Sequence, residues 1–89
     1  TRAVQLDPDD PDAVNGRAAV HSRQKNYDAA FGDYETAARL APSAFRVYFN
    51  RGNAHSALGR HDDAVADYTA ALAINPRNAR AYLYRAMSL

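Results

Sequence analysis

His21, His55 and His61 are the side chains here with the chemistry to move protons or hold a metal near neutral pH. Their surroundings fit neither use. A metal on a helix wants ligands at i and i+4, or a carboxylate converging on them, and no histidine has such a partner. Ser22 and Ser56 directly follow His21 and His55, so each serine faces away from its neighbour and forms no nucleophile–base pair. There is no glycine-rich phosphate loop. With no cysteine, neither a disulfide framework nor a thiolate metal site is possible. No catalytic group, metal or cofactor is expected, and any enzymatic activity of a parent protein belongs to another domain. His21 and His55 read as aromatic side chains at the edge of a core, and His61 as an exposed turn residue.

A second set of residues has the chemistry to bind. Arg46, Phe49, Asn50, Asn53 and Ser56 fall on one helical stripe. Arg80, Leu83, Tyr84 and Met87 repeat that register further on. Asp12, Asn15, Ala19, Ser22 and Arg23 hold the matching places early in the chain. Amides such as Asn50 and Asn53 can bond a peptide backbone. Arginines such as Arg46 and Arg80 can receive a carboxylate. Phe49, Leu83, Tyr84 and Met87 would make an apolar floor between them. The plain alternative is that the arginines are solvated helix residues and that Phe49 packs on Leu83.

The elements that position these residues follow from internal repetition. Pro8, Pro42 and Pro76 are spaced by 34 residues, as are Arg17, Arg51 and Arg85 and the alanines 3, 37 and 71. Leu6, Leu40 and Ile74 match in the same phase. Without gaps, residues 11–44 and 45–78 share nine identities: Arg17/51, His21/55, Ser22/56, Asp28/62, Ala30/64, Asp33/67, Tyr34/68, Ala37/71 and Pro42/76. Each unit reads as two helices. Tyr48, Gly52, His55 and Leu58 share one face, and Gly59 supplies the left-handed residue that ends the helix. Ala64, Tyr68, Ala71 and Leu72 share a face of the next helix, with Asp62 and Asp63 in its first turn and Asn75-Pro76 stopping it. In the first unit Asp10 can cap a helix starting at Pro11, Lys25-Asn26 makes the turn, and a helix runs from about Tyr27 to Leu40.

Tyr48-Phe49-Asn50-Arg51-Gly52-Asn53-Ala54, Leu58-Gly59, Ala64, Asp67-Tyr68, Ala71-Leu72 and Pro76 together resemble a tetratricopeptide repeat. The resemblance covers the whole chain: residues 1–8 as the tail of a preceding second helix, 11–44 and 45–78 as two units, and 79–89 as the first helix of a third. The first unit departs from the pattern, with Val14 for Tyr48, Ala18 for Gly52 and Gln24-Lys25 for Leu58-Gly59. The resemblance implies an all-α, right-handed α-solenoid of stacked antiparallel helix pairs, one continuous domain whose first helices line a concave groove. Ala18, Gly52 and Ala86 would then lie where paired helices cross, opposite Ala30 and Ala64, with Tyr34 or Tyr68 filling the space alongside. Asp33 and Asp67 are expected to point into solvent. Arg17, Arg51 and Arg85 are expected to lay their stems over apolar surface.

The function implied is a protein-interaction scaffold whose groove holds a peptide or protein segment through Arg46, Phe49, Asn50, Asn53, Arg80, Leu83, Tyr84 and Met87. Arg46 and Arg80 favour partners with acidic or carboxylate groups. Some family members clamp the C-terminal carboxylates of heat-shock chaperones with two asparagines and three basic residues. Here Asn50 and Arg80 match, while Asn15, Ala19 and Tyr84 do not, so that specialised clamp is not expected. The alternative is self-association, because Tyr82, Leu83, Tyr84, Met87 and Leu89 leave apolar surface uncovered and could join two chains into a homodimer through residues 79–89. RNA reading by a related helical repeat is disfavoured by the charge: 11 basic against 10 acidic residues give no field for nucleic acid. The 43–89 half does lean basic, with six basic and three acidic side chains. No apolar run approaches the roughly 18 residues of a membrane span. The chain opens at Thr1 without Met and reads as a piece of a longer protein. The lack of cysteine fits a reducing compartment such as the cytoplasm without fixing one.

Overall fold

The computed structural model describes residues 10–88. The readings made for residues 1–8 and for Leu89 lie outside them. Five helices follow in order: α1 (Pro11–Arg23), α2 (Tyr27–Leu40), α3 (Phe45–Ala57), α4 (His61–Ile74) and α5 (Ala79–Ser88). No strand occurs among the described residues. Two compact units divide at Pro42 and Ser43.

Local chemistry sets the helix ends. Asp10 caps α1, its carboxylate accepting from the Asp12 amide at 3.0 Å, with Pro11 in the first turn; such a cap is worth about 1 kcal/mol. Asn78 caps α5 in the same way, accepting from the Ala81 amide at 2.9 Å. α1 and α3 end alike. The Asn26 and Lys25 amides return to the His21 and Ser22 carbonyls, and the Arg60 and Gly59 amides return to those of His55 and Ser56. This is the paired closure that requires a left-handed residue. Gly59 supplies it at φ 75°, where glycine is unstrained, and Lys25 adopts it at φ 63° without that freedom.

In the first unit α1 packs on α2. Ala18 and Ala30 are fully buried, with Val14, Tyr34 and Ala37 around them. In the second unit α4 packs on both α3 and α5, and Val47, Gly52, Ala54, Ala64, Tyr68, Ala71, Leu72 and Ala81 are buried. Tyr34 and Tyr68, each 1% exposed, are the largest side chains fully enclosed. Small residues on facing helices let the backbones close in, and one tyrosine per hairpin fills the gap. Ala86, expected at an equivalent crossing, is exposed on α5.

Two expectations need correction. Asp33 and Asp67 do not point into solvent: their side chains are 14% and 8% exposed. Each faces the arginine sixteen residues before it. Arg17 bonds both Asp33 oxygens at 2.8 Å, and Arg51 bonds Asp67 at 2.7–3.1 Å. These arginines therefore act as charged cross-braces within a hairpin and not chiefly as apolar stems. Arg51 also lies over the Tyr48 ring, 5.5 Å from its centroid.

A β-carbon added at Gly52 would stand 2.8 Å from the buried Tyr68 ring. Ala18 occupies the equivalent place opposite Tyr34, so a small ring displacement admits one methyl group. Gly52→Ala should therefore lose about 1 kcal/mol, the crowding against the enclosed ring outweighing the helix-propensity gain. Gly52→Val should lose about 2 kcal/mol or more through overpacking. Denaturant unfolding of the two variants distinguishes these outcomes.

Candidate functional site

The binding residues expected from the sequence divide between α3 and α5, both in the second unit. Chain reversal at each turn makes these two helices parallel, with α4 antiparallel to both. Their register is visible in the rings. Phe49 stacks on Tyr84 at 5.5 Å with 12° between planes, and on Phe45 at 5.6 Å with 14°. Tyr68 from α4 meets the edge of this stack, 5.9 Å from Phe49 and 6.1 Å from Tyr84. Contacts of this type add roughly 0.5–1.5 kcal/mol each beyond burial.

Beside the stack opens a cavity of about 370 Å³, walled by Asn53, Ser56, Ala57, Tyr68, Tyr84 and Met87. Asn53, Tyr84 and Met87, three of the residues singled out in the sequence, lie together in its lining. Phe49 packs against two of the lining rings, Tyr84 and Tyr68. Asn50 is half-buried and already engaged in contacts of its own. Leu83, 56% exposed, lies outside the cavity lining, and Phe49 stacks on Tyr84. Arg46 and Arg80 are exposed, three residues before Phe49 and four before Tyr84, hence at the same end of the parallel pair.

Two pocket walls, Ala57 and Tyr68, were not anticipated as site residues. Tyr68 donates its hydroxyl hydrogen to Asn53 Oδ1 at 2.6 Å. Burial, then the neighbouring Tyr84 and Asp67, pushes the phenol up to about 12, so it remains a hydrogen donor across the neutral range. No sequence period reports such a bond. The nearest signal was the Arg17/Asp33 and Arg51/Asp67 recurrence, which fixes the pairing of first and second helix within each hairpin.

The histidines sit beside these braces. His21 Nε2 is 3.8 Å from Asp33, and His55 Nε2 is 3.5 Å from Asp67. Burial pulls the His55 imidazole below its ordinary value; Asp67 and Asp63 oppose the shift, while Arg51 and Arg60 assist it. Arg51 bonds both Asp67 oxygens, so the carboxylate beside His55 is already engaged. Among the described residues no group of three His or acidic side chains is arranged to hold a metal ion. No described helix is long and apolar enough to cross a membrane.

The two braces differ in exposure, so their contributions should differ. The Arg17 side chain is 55% exposed and that of Arg51 23%. Asp33→Ala should lose under about 1 kcal/mol, since solvent screens its partner. Asp67→Ala should lose about 3 kcal/mol, because it strands a largely covered guanidinium. Chemical denaturation of both variants checks the ranking.

Comparison with known proteins agrees with this architecture. Residues 1–45 and residues 45–78 each match a family profile described as tetratricopeptide repeat. No curated protein sequence matches the chain. Among solved structures, the first tetratricopeptide domain of Spaghetti (RPAP3), bound to the HSP90 peptide SRMEEVD, superposes with a TM-score of 0.86 at 30% identity. The match covers 92% of this chain and 65% of that one.

Proposed function

Because the chain belongs to the tetratricopeptide repeat family, we propose that it is a docking scaffold, without catalytic chemistry, that holds an acidic peptide segment along α3 and α5. The observation that carries this reading is the Phe49–Tyr84 stack with an open cavity at one end and two exposed arginines at the other. Seven helical residues separate Arg46 from Asn53, and Arg80 from Met87, which is about 10 Å along each axis. An extended peptide covers about 10 Å in three residues. The fitting segment therefore carries an apolar side chain for the cavity and an acidic group about three residues away. The acidic peptide held by the RPAP3 domain is of this general chemistry and supports the reading. Asn50 and Arg80 match two of the five residues of the family's chaperone carboxylate clamp; Asn15, Ala19 and Tyr84 depart from it. Charge and one apolar anchor, more than a dedicated carboxylate clamp, are the basis of selection here.

Calorimetric titration with SRMEEVD and SRMQQVN, in which amides replace the acidic side chains, tests the proposal. The acidic peptide should bind more tightly. Arg46→Glu with Arg80→Glu should weaken it by about tenfold or more while leaving the melting temperature nearly unchanged, since both side chains are exposed. Equal affinity for the two peptides, or no binding, overturns it.

A second reading rests on α5, where Tyr82, Leu83 and Met87 are 45%, 56% and 72% exposed. Such a face can join two copies of the chain. Sedimentation over a concentration series decides: a constant mass near 9.8 kDa removes self-association. A rise toward twice that mass, abolished by Leu83→Glu with Met87→Glu, establishes it.

A further inference from the structure

Asn53 carries one acceptor oxygen and two N–H donors, and which of them meets a ligand decides what the cavity recognises. Tyr68 settles the choice. Its ring is enclosed on α4, with Gly52 close on one side and the Phe49 and Tyr84 rings on others, so its hydroxyl cannot swing away. The hydroxyl donates to Asn53 Oδ1 at 2.6 Å. The bond takes one lone pair of the oxygen and turns that end of the amide toward Tyr68, so the nitrogen is the end turned away from the hydroxyl. We infer that Tyr68 is a positioning residue that locks the Asn53 amide with its N–H groups toward the cavity, so that the pocket selects a hydrogen-bond acceptor, a peptide carbonyl, next to the apolar side chain it takes in. The inference rests on the docking face proposed above.

The phenol stays protonated far above neutral pH, so the lock does not reverse under ordinary conditions. The selection has a physical consequence for the partner. A backbone carbonyl is present in every peptide, so Asn53 fixes the register of an extended segment without reading its sequence. The apolar anchor and the acidic group then supply the discrimination.

The test uses the whole chain, labelled with nitrogen-15, and two small probes. N,N-Dimethylbutyramide offers a carbonyl and no N–H. Pyrrole, of similar size, offers an N–H and no carbonyl. The first should shift the Asn53 side-chain amide signals in a saturable way, and pyrrole should not. Asn53→Asp keeps an acceptor for Tyr68 but removes the donor. It should melt like the wild type, weaken the amide probe roughly three- to tenfold, and favour pyrrole. Tyr68→Phe keeps the ring and frees the amide, so preference between the probes should fall toward unity. If that variant does not fold, Asn53→Asp alone decides. A preference for pyrrole in the wild type, an unresponsive Asn53 amide, or unchanged discrimination in Asn53→Asp overturns the lock. SRMEEVD titrated in parallel separates the two ideas: binding with a silent Asn53 amide removes the lock and leaves the docking face, whereas a responsive amide without peptide binding does the reverse.

Discussion

Each hairpin depends on how closely its two helices can approach. Ala18 and Ala30 in the first hairpin, and Gly52 and Ala64 in the second, are all buried small residues, and a β-carbon added at Gly52 would meet the Tyr68 ring at 2.8 Å. Close approach creates a gap beside the crossing, and Tyr34 or Tyr68 fills it. A small chain buries a limited fraction of its surface, so one enclosed tyrosine is a large share of each core. The same approach brings Arg17 to Asp33 and Arg51 to Asp67. These contacts span sixteen residues in both units because the helix pairing is the same in both. The braces follow from the packing; they do not create it. The Arg17 guanidinium is half-exposed, and an ion pair of that kind contributes too little to impose a helix crossing, yet the first hairpin has the same pairing as the second.

Much of this order was legible in the residues. Pro42 and Pro76, Lys25-Asn26 and Gly59 mark chain reversals, because each removes a helix donor or supplies a left-handed backbone. Asp10 and Pro11 mark a helix start for equally local reasons. The tetratricopeptide resemblance, carried by Tyr48 to Ala54, Leu58-Gly59, Ala64, Asp67-Tyr68, Ala71-Leu72 and Pro76, agrees with the family matches and with the all-α, helical-repeat fold.

What failed was reading charge from its immediate neighbours. Asp33 and Asp67 adjoin buried tyrosines, and one step along a helix turns a side chain by about 100°, enough to suggest solvent. That step places them at the margin of the hairpin, where an arginine on the facing helix covers them. The joint recurrence of Arg17/51 and Asp33/67 was in the sequence, but it becomes a contact only once the two helices are set antiparallel. Leu83 and Tyr84 show the same limit. Tyr84 stacks on Phe49 and lines the cavity while Leu83 is exposed, and a period of 3.6 residues cannot choose between adjacent positions. The bond from Tyr68 to Asn53 depends on atomic register and leaves no trace in composition or spacing.

Tyr68 ties the two halves of this description together. Its ring closes the α3–α4 crossing, its edge supports the Phe49–Tyr84 stack, and its hydroxyl holds the Asn53 amide. Core and candidate site therefore share a residue, and a change in one is felt in the other. A substitution that shifts the ring by a few tenths of an ångström moves the amide with it. Affinity and stability are then coupled through packing, without any change in a residue that touches the ligand. By contrast, Arg46 and Arg80 are exposed and belong to neither the core nor the ring stack. Their charge can be altered with little structural consequence. A face built this way divides its work: an invariant platform set by close-packed helices, and an adjustable electrostatic rim that chooses among the segments the platform can hold.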